Sequence, residues 1–133
     1  MSRPARFVWG GLLMWTMAAL APAQEGHPLV GSWHGNWGAN ARERTDVTVV
    51  MFFDGREVSG MLNPGLDASK LQKAALDPSN WTVHFEADAK MNGAAVHVVA
   101  DGKIENLTNV RRSIAGTWTQ GSVKGDFRIV RDN

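Results

Sequence analysis

The sequence contains no cysteine among its 133 residues, and this absence removes several kinds of structure and chemistry. The chain can form no disulfide, no thiolate nucleophile and no cysteine-ligated metal centre. The fold must therefore be stabilised by its hydrophobic core alone, for which a domain of about 110 residues is large enough.

An excess of charge of either sign is also absent. The chain has 14 Lys and Arg against 13 Asp and Glu, and Arg111-Arg112 is its densest basic spot. A near-neutral domain lacks the positive surface that attracts nucleic acid or an anionic membrane, so we expect no nucleic-acid partner. The hydrophobic fraction of 44% is that of an ordinary globular protein, and the length suits a single domain.

Motifs for nucleophilic, phosphate or zinc chemistry are missing as well. Ser32, Ser59, Ser113 and Ser122 lie outside any Gly-x-Ser-x-Gly elbow, and neither a glycine-rich phosphate loop nor His-Glu-x-x-His occurs. The sequence therefore indicates a protein that is not an enzyme, has no catalytic residues and needs no cofactor.

The first 23 residues have the pattern of a secretory signal peptide. A basic stretch, "MSRPAR", precedes an uncharged apolar run at 7–21, and Ala21-Pro22-Ala23 matches the small-x-small cleavage site. The run is shorter than the roughly 20 residues of a spanning helix, which disfavours the alternative of an uncleaved anchor. We expect cleavage after Ala23, a single domain at 24–133 with no membrane span, and a secreted or periplasmic bacterial protein.

From residue 29 onward the hydrophobic period is two, which predicts strands and not helices. Short strands separated by tight turns are typical of an all-β barrel, and consecutive hairpins favour a small up-and-down antiparallel barrel. Eight or nine strands are predicted, near 29–37, 45–53, 56–62, 70–76, 81–89, 94–101, 103–108, 111–119 and 122–131.

Three turn dipeptides predict hairpins in which both strands share one apolar face. A slip of one residue would bury charged side chains such as Asp88 and Lys124, so these faces are well specified. The predicted inward pairs are Met51–Val58, Val49–Gly60 and Val47–Leu62 around Asp54-Gly55; Ala89–Val96, Ala87–Val98 and Phe85–Ala100 around Asn92-Gly93; and Trp118–Val123, Gly116–Gly125 and Ile114–Phe127 around Gln120-Gly121.

Two segments are ambiguous. A two-residue turn at Asp101-Gly102 would bury charge, so we predict a longer or bulged turn that pairs Ala100 with Ile104. The stretch 63–80 contains good helix formers, with Asp67 as a candidate N-cap, but an up-and-down sheet needs a strand here to reverse the chain. We predict a strand at 70–76, with Leu76 and Ala74 facing Trp81 and Val83.

A Gly-x-Trp stretch occurs near each end of the predicted barrel. Gly31 and Trp33 share one face of the first strand, as Gly116 and Trp118 do late in the chain, where Gly125 lies opposite Gly116. Alternation of small and large inward residues lets bulky rings fit a narrow barrel, and glycines permit its tight bends. The tryptophans either fill the barrel or line a pocket.

The stretch "GSWHGNW", followed by a strand, "DG" and "SGML", and the final "GTWTQGSVKGDFRIVR" resemble calycin barrels, the lipocalin and avidin group, over about 29–131. The chain also resembles small secreted bacterial lipocalin-like β-domains. The resemblance implies that Trp33 packs under an arginine from the barrel end, for which Arg112 and Arg131 are candidates. The chain is short for a lipocalin and contains no tyrosine, so Thr45-Asp46 leaves the family motif incomplete and biotin binding is not implied.

Two functions agree with this sequence. The first is a lipocalin-like binding module that holds a small apolar ligand in the barrel interior. The second is a filled barrel that meets a partner protein of the cell envelope through its surface or its 63–80 segment. The predicted ligand-binding side chains are Trp33, Trp81, Phe85, Trp118 and Phe127.

The histidines form two predicted cross-strand pairs with aspartates on the outward face. His84 lies opposite Asp101, and His97 lies opposite Asp88. The two pairs are offset by four residues, or roughly 13 Å at the rise of a strand, so one metal ion cannot bridge them. We interpret them as solvated pairs and expect no metal site.

Overall fold

The alternating apolar pattern forms eight antiparallel strands that close into a barrel in sequence order, which confirms the predicted fold class. The computed structural model describes residues 26–65, 68–91 and 93–132, and none of these ranges contains a helix. The predicted signal peptide and its cleavage site lie outside the described residues, as do Asp67 and Asn92. The strands are β1 (Gly31–Gly38), β2 (Thr45–Phe53), β3 (Val58–Leu62), β4 (Ser69–Asp77), β5 (Thr82–Met91), β6 (Ala94–Glu105), β7 (Ser113–Gln120) and β8 (Val123–Arg131).

Strand β4 confirms that the ambiguous stretch is extended and not helical. Burial of Leu71 and partial burial of Ala74 and Leu76 against the core outweigh the local helix propensity. These residues cannot share a face at period two unless the strand shifts, and a β-bulge between Leu71 and Lys73 provides the shift. Both predicted pairs of this strand are wrong, because Leu76 pairs with Val83 instead of Trp81, and Ala74 pairs with Phe85 instead of Val83.

The hairpin at Asn92-Gly93 has all three predicted inward pairs, from Ala89–Val96 to Phe85–Ala100. The other two hairpins are shifted by two residues: Met51 pairs with Gly60, and Trp118 pairs with Gly125. A shift of two preserves the period of the side chains, so the predicted apolar faces are correct although the predicted partners are wrong.

Turn geometry explains both shifts. The Oδ1 atom of Asp54 accepts hydrogen bonds from the backbone N–H groups of Arg56 (2.8 Å) and Glu57 (2.7 Å), which makes a four-residue loop instead of a two-residue turn. In the later hairpin Gln120 does not belong to the turn, contrary to the prediction, but pairs with Val123 at the end of the strand. The turn begins one residue later, at Gly121, whose φ is +60°.

The predicted turn at Asp101-Gly102 does not form, and the predicted ninth strand is part of β6. Gly102 pairs with Val83 on one side and Gly116 on the other, while Ile104 pairs with Ile114 and not with Ala100. A Cβ atom at Gly102 would lie 2.7 Å from the carbonyl oxygen of Ala115. This glycine therefore serves the close approach of two strands and not a reversal of the chain.

Aromatic rings fill the centre of the barrel. The ring of Trp118 stacks on Trp37 at a centroid distance of 5.6 Å and also contacts Phe127 at 5.6 Å and Phe85 at 5.8 Å. These separations are those of direct ring packing. Apolar side chains from every strand surround the rings.

Both arginines implied by the resemblance lie at the barrel end where β1 begins. Arg131 pairs with Trp33 across β1 and β8, and its guanidinium donates to the carbonyl of Val30 at 3.1 Å. The guanidinium of Arg112 donates to the carbonyl of Pro28 at 3.1 Å. The two side chains hold the segment before β1 over the barrel end, where Leu29 is fully buried.

Candidate functional site

The structure places four of the five predicted ligand-binding side chains inside the barrel. Trp33, Phe85, Trp118 and Phe127 are each no more than 2% exposed. Trp81 is not among them, which corrects its predicted interior position: it is 36% exposed and has a positive φ in the turn before β5. The turn from β4 to β5 takes four residues, and Trp81 is the last of them.

The interior geometry supports the structural interpretation of the tryptophans. The rings of Trp37 and Trp118 stack on each other, and Trp118 also packs on Phe85 and Phe127, so a ligand could enter this space only by displacing them. The indole N–H groups are also satisfied internally: Trp33 donates to the carbonyl of Leu29 at 2.9 Å, and Trp118 donates to Oε1 of Gln120 at 3.2 Å. Candidate sites must therefore be sought in the barrel wall.

The wall parts along one seam, between β3 and β4. Within the described residues this seam has two residue pairs, Met61–Lys70 and Leu62–Ser69, whereas every other pair of neighbouring strands has five or more. Strand β3 begins only at Val58, so the loop at 54–57 lies beside the second half of β4 instead of a paired strand.

A cleft with a volume of about 510 Å³ occupies this gap, and we call it the seam cleft. Its volume falls within the range of about 300–1,000 Å³ that is usual for ligand sites. Partly buried Val58, Ala74 and Leu76 supply apolar surface. The residues that line it are His27, Phe53, Arg56, Glu57, Val58, Gln72, Lys73, Ala74, Ala75, Leu76 and His84.

The lining combines this apolar surface with mixed charge. Arg56, Glu57 and Lys73 carry charge along the cleft, and Nζ of Lys73 lies 3.8 Å from Oε2 of Glu86. The His27 ring packs on Phe53 at a centroid distance of 4.4 Å. Burial lowers the pKa of His27, so its ring is neutral at pH 7 and adds to the apolar surface.

A chain of histidines and carboxylates adjoins the cleft on the outward face of β5 and β6. The two predicted pairs are present: Nδ1 of His84 lies 2.5 Å from Oδ1 of Asp101, and Nδ1 of His97 lies 2.8 Å from Oδ1 of Asp88. Glu86 joins them, with one oxygen 2.7 Å from Nε2 of His84 and the other 2.9 Å from Nε2 of His97. We call these five residues the histidine–carboxylate network.

The role of Glu86 was missed at the sequence level although a signal existed. Glu86 lies between His84 and Asp88 at period two, so all three share the outward face. A long side chain can reach its diagonal neighbour on the next strand, which is how Glu86 contacts His97. No cluster of three or more His, Asp and Glu side chains in the described ranges has a geometry that could hold a metal ion.

The network requires doubly protonated imidazoles. In each ring, both nitrogens lie within hydrogen-bond distance of a carboxylate oxygen. A neutral imidazole has only one N–H to donate, so it could make only one of these two bonds. Hydrogen bonds to Glu86 and then Asp101 raise the pKa of His84, and bonds to Asp88 and then Glu86 raise the pKa of His97. The same bonds lower the pKa of Glu86 and Asp88.

We expect the network to stabilise the fold at mildly acidic pH and to lose this effect as pH rises. Because the folded-state pKa of each imidazole lies above its unfolded value of about 6.5, the contribution is complete below that value and disappears as pH rises through the folded-state pKa. NMR titration of the imidazole protons and thermal unfolding from pH 5 to 9 will measure both effects. The Glu86→Gln variant should bring both pKa values down, and values at or below 6.5 in the parent would contradict the network.

A second imidazole site was not anticipated from the sequence. Nδ1 of His34 lies 2.9 Å from Oγ1 of Thr48, and its Nε2 lies 2.6 Å from Oδ2 of Asp132. The order hydroxyl–imidazole–carboxylate is that of a catalytic triad. However, the His34 and Asp132 side chains are 49% and 54% exposed, and a hydrolase needs a cleft that excludes water and donors for an oxyanion. We interpret the arrangement as solvated surface contacts.

Comparison with protein-family models, with curated proteins and with solved structures finds no significant match to this chain. The closed eight-stranded barrel is consistent with the lipocalin-like fold that the sequence resembles. In the described ranges, no helix has the length and hydropathy to cross a membrane. Function must therefore be argued from the seam cleft and its surroundings.

Proposed function

We propose that the protein is a non-catalytic, lipocalin-like binding module whose ligand occupies the seam cleft and not the barrel interior. One observation carries this proposal: the interior is filled by packed rings, while in the described part of the chain the wall has its fewest residue pairs between β3 and β4, where the seam cleft lies. The signal-peptide pattern of the first 23 residues supports a location outside the cytoplasm.

The cleft suits a ligand with an apolar part. Val58, Ala74 and Leu76 have the inward phase of the barrel, yet the parted seam leaves them partly exposed. Covering such surface is favourable by roughly 25 cal/mol for each Å² removed from water. A small apolar molecule, the ligand class indicated by the sequence, would contact this surface while its polar end met Arg56 or Lys73 at the edge of the cleft.

A partner protein is the second candidate. The filled interior favours it, because a barrel whose interior is occupied by its own side chains presents only its surface and edges for recognition. Exposed apolar side chains on the neighbouring outward face, Phe52 and Met61, are also compatible with contact to another protein.

Binding in the cleft can be tested with an apolar fluorescent probe, 1-anilinonaphthalene-8-sulfonate. We expect saturable binding that weakens about tenfold or more in Leu76→Asp, because the variant puts a charge in the apolar floor and removes the contact of a leucine side chain. The matched control is Val123→Asp, which puts the same charge at an exposed valine outside the seam cleft. Circular dichroism checks that both variants fold. Equal binding by the parent and both folded variants would contradict the proposal.

A further inference from the structure

We propose that the occupant of the seam cleft is an extended segment of another polypeptide, which pairs with the open edge of β4. This inference rests on the proposed function, which places a ligand with an apolar part in the seam cleft, and it assigns that apolar part to the side chains of a polypeptide instead of a small molecule. The first observation is that five consecutive residues of β4, from Gln72 to Leu76, line the cleft. Successive side chains of a strand point to opposite faces, so a cleft lined by an unbroken run includes the edge of the strand. The cleft also extends over the outward face of β4 as far as His84 of β5.

The second observation concerns the backbone of β4. On one side β4 pairs with β5 from Leu71 to Asp77, but on the other side its pairs with β3 are limited to Ser69 and Lys70 among the described residues. Each strand residue carries one backbone donor and one acceptor, and a sheet normally satisfies them on both sides. The edge of β4 along 72–76 therefore offers unpaired groups, which is the template that strand addition uses.

The same edge has features that disfavour pairing with a second copy of itself. The bulge between Leu71 and Lys73 disturbs the flat geometry that edge-to-edge association requires. Lys73, whose side chain is 72% exposed, puts a charge at the edge, and lysines on edges are a common protection against self-association. The edge is thus suited to a partner of different sequence.

Charge and burial around the edge specify the chemistry of the partner segment. Its inward side chains would cover Val58 and Leu76 and must be apolar. Its outward side chains would lie near Lys73, which already approaches Glu86, and near Arg56, which makes no salt bridge within the described part of the chain. Acidic residues are complementary to Arg56, provided that they lie away from Glu57 in the same lining. A segment of about five residues, roughly 17 Å long, is enough to follow the edge.

The test uses synthetic seven-residue peptides in which Val or Ile alternates with Glu, capped at both ends, and isotope-labelled protein. We expect binding that protects from hydrogen exchange those β4 amides within 72–76 that point away from β5, and that shifts the NMR signals of 72–76. N-methylation of alternate peptide residues should weaken binding about tenfold or more, because it removes backbone donors but keeps the side chains. The Lys73→Glu variant should prefer peptides in which Lys replaces Glu, and this charge reversal keeps an exposed site polar.

Each outcome separates the two proposals. Peptide binding that protects 72–76 and follows the charge reversal supports strand addition. Binding that perturbs only other strands, or that N-methylation leaves unchanged, overturns it. Saturable binding of 1-anilinonaphthalene-8-sulfonate in the cleft without any peptide binding overturns strand addition while the proposed binding function stands. Failure of both ligands to bind overturns both proposals.

Discussion

Replacement of Trp118 by alanine is expected to lower the free energy of unfolding by about 3–5 kcal/mol. Trp118 is 1% exposed and contacts Trp37, Phe85 and Phe127, so its removal loses buried apolar surface and leaves a cavity among rings from three other positions on the barrel wall. A domain of this size has only about 5–15 kcal/mol of stability in total, so the loss should be plain in urea unfolding followed by circular dichroism. Trp33→Ala is expected to have an effect of similar size, since Trp33 is fully buried.

Trp81→Ala is the matched control for this experiment. It makes the same chemical change at a tryptophan that is 36% exposed in a turn, so less buried surface is lost and we expect a smaller destabilisation. A Trp81 variant as unstable as the Trp118 variant would contradict the assignment of the interior rings as the core. Because the proposed ligand site lies in the seam cleft, a Trp118→Ala protein that remains folded should keep its binding to the cleft.

Replacement of Gly116 by alanine is the second change with a large expected effect. A Cβ atom there would lie 2.0 Å from the carbonyl oxygen of Asp101 and 2.4 Å from Cα of Gly102 on the paired strand. Both contacts are with backbone, which cannot rotate away as a side chain can. We expect a loss of about 1–3 kcal/mol or more, because β6 and β7 must separate to admit one methyl group.

Two controls make the result interpretable. Gly102→Ala should cost less, because its nearest contact would be 2.7 Å, and Thr117→Ala, at the exposed neighbouring position, should stay within about 0.5 kcal/mol of the parent. Urea unfolding of the three variants gives the order directly. If Gly116→Ala were as stable as Thr117→Ala, the close approach of β6 and β7 would be wrong, and with it the explanation of the Gly-x-Trp stretch as a device for narrow packing.

The proposed site differs in kind from the one that the sequence indicated. A lipocalin-like barrel suggests an internal ligand, and four of the five predicted contact residues do face inward. Their rings are so closely packed that the same inward phase becomes evidence for a filled core. Recognition then depends on the wall, where the short strand β3 leaves the edge of β4 unpaired.

The histidine–carboxylate network lies on β5 and β6, on the side of β4 opposite that edge, and His84 belongs to both the network and the cleft lining. Lys73 of β4 also approaches Glu86 of the network. We therefore expect the loss of the network's stabilising effect at high pH to lower the stability of the wall formed by β4, β5 and β6 before that of the other strands.

Local patterns in the sequence were sufficient for the fold class and for the two faces of the strands other than β4, where a bulge shifts the alternation. The alternation in 82–91 and 94–100, together with Asn92-Gly93, predicted the register of β5 and β6 and the opposition of His97 to Asp88 correctly. Burial of a charged side chain would have penalised every one-residue slip. Alternation along β1, β5, β7 and β8 also predicts correctly that Trp33, Phe85, Trp118 and Phe127 are interior residues.

The cross-strand pairing partners, in contrast, could not be predicted from the pattern wherever a turn had an unexpected length. A slip of two residues keeps every side chain on its face, so the sequence offers no penalty that distinguishes Met51–Val58 from Met51–Gly60. The hydrogen bonds that the Asp54 side chain accepts from the backbone of Arg56 and Glu57 fix the longer loop and so the register. The dipeptide Asp54-Gly55 alone does not reveal these bonds. At Asp101-Gly102 the dipeptide suggests a turn that does not form. Its glycine lies within a strand and permits the close approach of the neighbouring strand.

The sequence by itself thus determined a disulfide-free, all-β barrel, its inward and outward faces and its aromatic interior, because these depend on a period of two that neighbouring residues display. Only the tertiary structure decided that the interior is filled, that the wall parts between β3 and β4, and that Glu86 joins two histidine pairs into one network. Each of these depends on how closed strands are positioned around the barrel, and that positioning depends on turns, bulges and packing across strands that are far apart in sequence.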